Sequence, residues 1–326
     1  MRTAVGVMRG GVMAVIGNTS KSTLRVYRPV WLRRGMSLSS RADVLAPAAL
    51  VVLWSSGFVG AELGTREAPA STLLAWRYLV AAALLVAWCV WRRERITRSA
   101  IARQVVLGML VQAGYLGLVV TGVGLGATAG TSSLIASLQP LAVVALAALV
   151  LGERTRLGQL VGLATGLCGV ALVVGGDLAG GGAAWWVYLL PAGGMLALSA
   201  GTVLQQHWQP EESVVVSLAI QTVTAATVFW VVAGLQGTAD APAEPGFWWA
   251  IAWVVVLSSF GGYGAYLHVA RRDGATRAST WLYLTPPSTM VWAGWMFGDP
   301  IGALGLAGLA VCAAGVALAL RPVRQA

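Results

Sequence analysis

Ten apolar stretches, each about as long as a helix that crosses a bilayer, run through this chain of 326 residues. About 20 apolar residues of α-helix are needed to cross the hydrocarbon core, where every backbone polar group must be bonded internally. The chain lacks the alternating segments of about ten residues that are typical of a barrel, so we predict helices. The stretches are residues 44–63, 72–91, 104–122, 129–151, 157–174, 184–204, 214–235, 247–267, 279–297 and 301–320.

The scarcity of charge supports the same conclusion. Only 10% of the residues are charged, whereas a soluble domain carries about 25%. The longest connector, residues 236–246, leaves no room for a soluble catalytic domain, so we expect no enzyme. Three cysteines, Cys89, Cys168 and Cys312, lie within stretches and have no neighbour at metal-ligand spacing. We therefore expect neither a metal nor another cofactor.

The basic residues are distributed unevenly, and this asymmetry predicts the orientation of the chain. The net charge of +10 could suggest a nucleic-acid partner, but 20 of the 22 basic residues fall on one side of the ten stretches. The positive-inside rule makes that side cytoplasmic, together with both termini. We expect residues 1–43 to form a disordered basic tail and residues 321–326 to be a short cytoplasmic end. The alternative for residues 1–35 is a start codon assigned too early, because a compact start begins at Met36, directly before the first stretch. A signal peptide is not expected, because the start has glycine interruptions and no small-residue cleavage site.

The chain carries an internal repeat. A shift of 146 residues places Pro140 on Pro286 and Gly169 on Gly315, without a gap. A shift of 144 residues places Ser55 on Ser199. We therefore predict two repeats of five helices, residues 44–175 and 184–320.

Five is an odd number of crossings, so the two repeats would cross the membrane with opposite polarity. Inverted repeats are typical of carriers, because exchanging the conformations of the halves opens one central site to either side. The predicted fold is thus an all-α integral membrane protein of ten transmembrane helices arranged as two inverted five-helix repeats.

Several motifs resemble those of EamA-type carriers of the drug/metabolite transporter superfamily. The first stretch reads Leu-Trp-Ser-Ser-Gly-Phe-Val over residues 53–59, and is followed by Pro69 and Arg77. The fourth stretch reads Ser-Ser-Leu-Ile-Ala-Ser-Leu-Gln-Pro over residues 132–140, and a Leu-Gly-Glu ending follows at residues 151–153. The second copy is looser, with Phe-Gly-Asp at residues 297–299. Many members of the family carry Lys where this chain has Glu62.

The resemblance implies an exporter of amino acids, other small metabolites or drugs in the inner membrane, whose central cavity is lined by stretches one, three, four, six, eight and nine. The partners would be a small-molecule substrate and the lipid bilayer, with the chain acting as a monomer or homodimer. The polar and aromatic side chains of the lining stretches are the candidate substrate-binding residues, although Ser and Thr in membrane helices commonly bond their own backbone. They are Trp54, Ser55, Ser56, Tyr115, Ser137, Gln139, Ser199, Thr202, Tyr263, Tyr266, Tyr283 and Thr285.

Four further residues are candidates for gating or hinge roles. Arg77 lies inside the second stretch and Glu62 near the outer end of the first, so we predict an ion pair that holds these helices together or closes the outer side. The alternative is that Arg77 reaches the phosphate headgroups. Pro140 and Pro286 fall inside stretches and predict breaks or kinks at the midplane of the membrane.

The energy source is left open by the residues. No Asp or Glu lies deep in a predicted stretch, which favours efflux down a gradient, although proton coupling through Glu62 remains an alternative. A carrier of nucleotide sugars or phosphate esters on the same fold is a second alternative. It is disfavoured because Arg77 is the only basic residue within the stretches.

Overall fold

The structure is a computed structural model that describes residues 8–9, 12–13, 41–151, 157–180, 182–209, 212–273, 278, 281–299 and 301–319. The chain divides into two compact units, Met1–Leu45 and Ala46–Ala326. The predicted tail and the C-terminal residues 321–326 lie outside the described residues, apart from two paired strands, β1 (Met8–Arg9) and β2 (Val12–Met13), and the start of the first helix. The Leu-Gly-Glu ending at residues 151–153 also lies outside them after its leucine.

Apart from that strand pair, helices and their connectors make up the described part of the chain. The helices are α1 (Arg41–Glu67), α2 (Ala70–Arg92), α3 (Arg98–Leu107), α4 (Tyr115–Gly124), α5 (Ala129–Ala136), α6 (Gln139–Leu151), α7 (Leu157–Ala179), α8 (Leu189–Trp208), α9 (Val214–Gln236), α10 (Pro245–Trp253), α11 (Tyr263–Asp273), α12 (Thr285–Phe297) and α13 (Ala303–Ala319).

Irregular helical turns join several of these helices. The π-helical segments Gly108–Gly114 and Val254–Gly262 continue α3 into α4 and α10 into α11. Short 3₁₀ turns, Trp185–Tyr188 and Leu282–Leu284, precede α8 and α12. The first residues of the two π segments are 146 positions apart, which is the repeat shift found in the sequence. Local departures from the α-helix therefore recur at matching places in both halves.

Eight continuous helical segments are long and apolar enough to cross a membrane, judged by length and composition, within the described ranges. A further segment, Ala303–Leu318, is apolar but shorter, and α12 has 13 residues. The protein is thus a multi-pass helical membrane protein. The eight segments are Leu45–Glu67, Ala70–Arg92, Arg98–Gly124, Ala129–Leu149, Leu157–Ala179, Trp185–Trp208, Val214–Gln236 and Pro245–Tyr266.

Some helices extend beyond the predicted stretches. The fifth stretch was predicted to end at residue 174, but α7 continues through two glycines and Asp177 to Ala179. The third was predicted to begin at Gln104, but its helix begins at Arg98. The hydropathy pattern shows where the run of apolar side chains ends. The helix can continue past that point, because its backbone N–H and C=O groups still need hydrogen-bond partners.

The two candidate hinge prolines sit at helix starts. Pro140 and Pro286 are each the second residue of a helix, α6 and α12. The interruptions precede them, at residues 137–138 and at the 3₁₀ turn Leu282–Leu284. Proline lacks the N–H that would be unbonded in a first turn anyway, so it starts a helix more readily than it breaks one. The predicted breaks exist, but each lies before its proline.

Helices α7 and α13 pack closely through glycines. A Cβ atom added at Gly169 would lie 2.7 Å from the carbonyl oxygen of Gly308, and one at Gly315 would lie 2.7 Å from that of Gly162. Contact positions rise along α7 as they fall along α13, so the two helices are antiparallel. The repeat shift relates Gly162 to Gly308 and Gly169 to Gly315, so each of these two contacts is the counterpart of the other.

Helices α2 and α9 form a second antiparallel pair. The hydroxyl groups of Ser71 and Thr238 lie 2.8 Å apart at one end of the pair. The rings of Tyr78 and Phe229 pack together in the middle, 5.3 Å apart, and Cys89 packs with Val216 near the other end. The second helix and the seventh stretch are corresponding elements of the two repeats, so this pair also joins the halves.

Candidate functional site

Two buried serines each make the same pair of contacts. The Ser55 hydroxyl in α1 lies 2.7 Å from the carbonyl oxygen of Val51 and 3.3 Å from that of Thr285. The Ser199 hydroxyl in α8 lies 2.7 Å from the carbonyl oxygen of Met195 and 3.4 Å from that of Gln139. A hydroxyl has a single hydrogen to donate, so each serine shares it between its own helix and a neighbouring one.

These contacts are counterparts under the repeat. The shift of 144 residues carries Ser55 onto Ser199, and the shift of 146 carries Gln139 onto Thr285. Each acceptor carbonyl belongs to the residue directly before Pro140 or Pro286. The first helix of each half therefore contacts the interrupted fourth helix of the other half, at the point where that helix resumes.

The candidate residues of the fourth and sixth stretches lie together. The side-chain amide of Gln139 donates to the Thr202 hydroxyl at 3.1 Å. Thr202 also donates to the Leu198 carbonyl, and Ser137 to the Leu134 carbonyl, as membrane hydroxyls commonly do. Gln139, Ser199 and Thr202 thus form one polar group between the halves.

A second group of candidates is aromatic. The ring of Tyr266 lies 5.9 Å from that of Trp54 and 6.3 Å from that of Tyr263. Ser56 donates to its own helix at the Leu53 carbonyl, and its carbonyl accepts from the Trp253 indole at 3.0 Å. Together with Ser55 and Thr285, these residues join α1 to the eighth and ninth stretches.

Two cavities differ in their relation to the candidate residues. The smaller, of about 280 Å³, is lined by Ser137, Tyr283 and Pro286 together with residues of α13. Thr285, beside it in sequence, has a buried hydroxyl oxygen with no hydrogen-bond partner among the described residues. The larger, of about 730 Å³, lies between α2, α4 and α9, and none of the candidate residues lines it.

Tyr115 stands apart from both groups. It packs against a buried cluster of Phe58, Val119, Ala129 and Ala293, which come from α1, α4, α5 and α12. Tyr115 therefore lies where the first, third, fourth and ninth stretches meet.

The predicted pair between Glu62 and Arg77 is wrong. Glu62 instead accepts from Arg66 at 2.7 Å and from the Ala129 backbone N–H at 3.4 Å. Arg77 donates to the Ser259 hydroxyl at 3.4 Å. Arg66 lies four residues from Glu62 on the same helix, a spacing that brings the two charges together without any tertiary packing. Arg77 is only 7% exposed, so it is buried within the protein rather than extended toward headgroups.

An acidic group at the predicted outer end was not foreseen from the sequence. Asp177 accepts a hydrogen bond from the Thr131 hydroxyl at 2.6 Å, and the Thr128 and Tyr188 hydroxyls lie at 3.5 and 3.4 Å. Burial raises the pKa of Asp299 above its ordinary value; Arg66 opposes this shift and Asp177 adds to it. Asp177 was overlooked because it follows two glycines, Gly175 and Gly176, and such a sequence is typical of the end of a helix.

A polar network at the predicted cytoplasmic end was also missed. Gln104 is fully buried, donates to Glu212 at 2.9 Å and accepts from Gln221 at 2.6 Å. Arg103 lies 3.5 Å from the same carboxylate. This network joins α3 to α9 and to the connector before it. The available signal was Gln104 itself, the first residue of the third stretch, because a polar side chain in the membrane needs a hydrogen-bond partner.

Membrane-crossing helices in two related halves, with polar groups buried between them, are the architecture expected of a membrane transporter of small molecules. The chain belongs to the EamA-like transporter family, whose model matches residues 41–175 and 185–321. The resemblance found in the motifs is thereby confirmed.

Comparison with individual proteins agrees. The chain is 24% identical over 243 residues to YedA of Escherichia coli K12, described as an uncharacterized inner membrane transporter. The alignment covers 73% of this chain and 77% of YedA, and the same holds for YedA of two other E. coli strains. A crystal structure of another protein superposes with a TM-score of 0.59 at 20% identity, covering 86% of this chain and 97% of that one. That likeness shows the fold alone.

Proposed function

We propose that this protein exports small zwitterionic or largely apolar solutes, such as amino acids or drugs, across the inner membrane by alternating access. The halves are inverted five-helix repeats, and both termini face the cytoplasm. The asymmetry of the basic residues supports this orientation, and the description of YedA as an inner membrane transporter supports the location.

The pair of matching serine contacts carries this proposal. The distance from the Ser55 hydroxyl to the Thr285 carbonyl oxygen, 3.3 Å, nearly equals that from the Ser199 hydroxyl to the Gln139 carbonyl oxygen, 3.4 Å. The two contacts involve residues from different parts of the chain. Contacts that exchange under the repeat are expected of two halves related by a pseudo-two-fold axis. The antiparallel packing of α7 on α13 and of α2 on α9 supports an axis in the membrane plane, as inverted repeats require.

Counterflow in proteoliposomes tests the transport. Vesicles are loaded with one unlabelled solute from a panel of amino acids, hydrophobic drugs and one nucleotide sugar, and uptake of the labelled solute is followed. We expect transient accumulation for an amino acid or a drug, and none in protein-free vesicles. Counterflow of the nucleotide sugar alone would favour the phosphate-ester alternative, and no counterflow at all would refute the proposal.

Proton coupling is a second candidate, favoured by the carboxylates at the predicted outer end. Glu62 and Asp177 each interact electrostatically with Asp299, and Glu62 is only 9% exposed. Three acidic groups so placed can share protons more readily than isolated ones. Uptake driven by a pH gradient, lost in Glu62→Gln and kept in Glu67→Gln, would establish coupling. Efflux indifferent to the gradient would leave downhill transport.

A further inference from the structure

Arg77 is a buried cation that the packing of the helices does not explain. It lies seven residues after the start of α2, which places it about 10 Å along the helix from its first residue. Its guanidinium donates to the Ser259 hydroxyl at 3.4 Å and lies 5.5 Å from the centre of the Tyr78 ring. It also interacts electrostatically with Tyr115.

No carboxylate neutralises this charge among the described residues. The ion pairs found there join Arg66 to Glu62 and Arg103 to Glu212. A hydroxyl at 3.4 Å is a long contact and carries no negative charge, whereas a guanidinium offers five N–H donors. Taking a cation out of water is costly unless it is paired, so the site is suited to an anion that arrives from outside the chain.

The surroundings of Arg77 connect it with the proposed transport path. Ser259 lies within the π-helical segment Val254–Gly262, and Tyr115 directly follows the segment Gly108–Gly114. Such π-helical turns occur frequently at functional sites. Tyr115 in turn packs against α1, α5 and α12. Arg77 thus extends from α2 toward helices of the proposed central cavity rather than toward lipid.

We propose that Arg77 binds the carboxylate of the transported solute. This inference rests on the proposed function and narrows its substrate class to monocarboxylates, amino acids among them. The planar guanidinium can bind the two carboxylate oxygens at once, and the Tyr115 and Ser259 hydroxyls can add donors to the same oxygens. A single cation matches one carboxylate, whereas a dianionic phosphate ester would call for further basic groups.

Ligand-induced thermal stabilisation of the purified wild-type protein provides the test. The probes are the common L-amino acids, each compared with its C-terminal amide, and benzoate compared with benzamide. Each amide keeps the shape of its acid but lacks the negative charge. We expect at least one acid to bind at least about tenfold more tightly than its amide, as loss of a charge-assisted hydrogen bond implies.

Variants assign the effect to Arg77. Arg77→Gln should abolish the preference for the acid, and Arg77→Lys should keep the charge and part of the preference. Arg92→Gln is the matched control, because Arg92 lies on the same helix and is exposed. If Arg77→Gln does not fold, the comparison of acid with amide in the wild type and in Arg77→Lys decides.

Three results would overturn the inference: equal binding of acid and amide, wild-type affinity for the acid in Arg77→Gln, or no probe whose binding depends on Arg77. Failure of the proposed function is a separate result. Counterflow of solutes that lack a carboxylate would keep the transporter and refute the role of Arg77. Absence of counterflow for every solute would refute the transport proposal itself.

Discussion

The glycine contact between α7 and α13 makes a quantitative prediction about stability. A Cβ atom at Gly169 would lie 2.5 Å from the Cys312 sulfur and 2.7 Å from both the Cys312 nitrogen and the Gly308 oxygen. Two of these three atoms belong to the backbone and cannot rotate away. Gly169→Ala must therefore push the helices apart, and overpacking of this kind typically costs about 1–3 kcal/mol.

Gly175→Ala on the same helix is the matched control. A Cβ atom there would meet nothing within 4 Å. Both substitutions replace Gly by Ala inside a helix, which favours the helix by about 0.5–1 kcal/mol. That gain cancels when the two variants are compared, so the difference between them isolates the packing cost of about 1–3 kcal/mol.

The assay is thermal unfolding of both variants in one detergent, followed by tryptophan fluorescence. We expect Gly175→Ala to melt at or above the wild-type temperature, and Gly169→Ala to melt below the control. Gly315→Ala should behave as Gly169→Ala does, because its Cβ atom would lie 2.6 Å from the Gly166 nitrogen. Equal melting of Gly169→Ala and Gly175→Ala would refute the close contact.

Three further predictions concern polar groups. Ser55→Ala and Ser199→Ala should each lower the unfolding free energy by about 0.5–1.5 kcal/mol, by similar amounts if the halves are equivalent; unequal losses in thermal unfolding would contradict that. Gln221→Leu should cost about 1–3 kcal/mol because it leaves the buried side-chain oxygen of Gln104 without its donor, and a melt unchanged from wild type would argue against the network. Burial raises the pKa of Asp299, so between its ordinary value of 3.8 and its raised value this carboxyl binds more protons in the folded than in the unfolded chain, and its contribution to stability falls as pH rises through that window. Asp299→Asn should therefore raise the melting temperature at neutral pH and flatten its pH dependence, whereas a lower melting temperature would indicate that the carboxylate stabilises the fold.

The apolar stretches predicted the helical membrane fold well because bilayer thickness dictates segment length. The ends of the helices were predicted less well. Asp177 and Gln104 are both polar, and each was placed at or beyond the edge of a stretch. The structure places both within helices, with partners supplied by other segments. Hydropathy counts side chains along one chain and contains no information about such partners.

The sequence named candidate residues by type but not the contacts between them. Ser55, Ser199, Gln139 and Thr285 were expected to line a central cavity, which stays a prediction, and the hydrogen bonds that join them were not foreseen. For Glu62, the better candidate for an ion-pair partner was Arg66 rather than Arg77, because Arg66 lies four residues away on the same helix and this spacing was visible in the sequence. Long-range partners depend on how helices rotate about their axes, which a hydropathy pattern does not specify.

The crossed serine contacts also bear on how the chain is made. Ser55 and the acceptor residue Thr285 are 230 positions apart, so at synthesis rates of about 5–20 residues per second the acceptor emerges roughly 10–50 seconds after the serine. In that interval the Ser55 hydroxyl can donate to the Val51 carbonyl in its own helix, so it is hydrogen-bonded even while the helix is surrounded by lipid. The acceptor of Ser199 is already present when Ser199 is made, because Gln139 precedes it in the chain. Helix α1 thus acquires its contact with Thr285 only after most of the second half has been made, and a ribosome that stalls midway leaves a half-protein in which Ser55 lacks this partner.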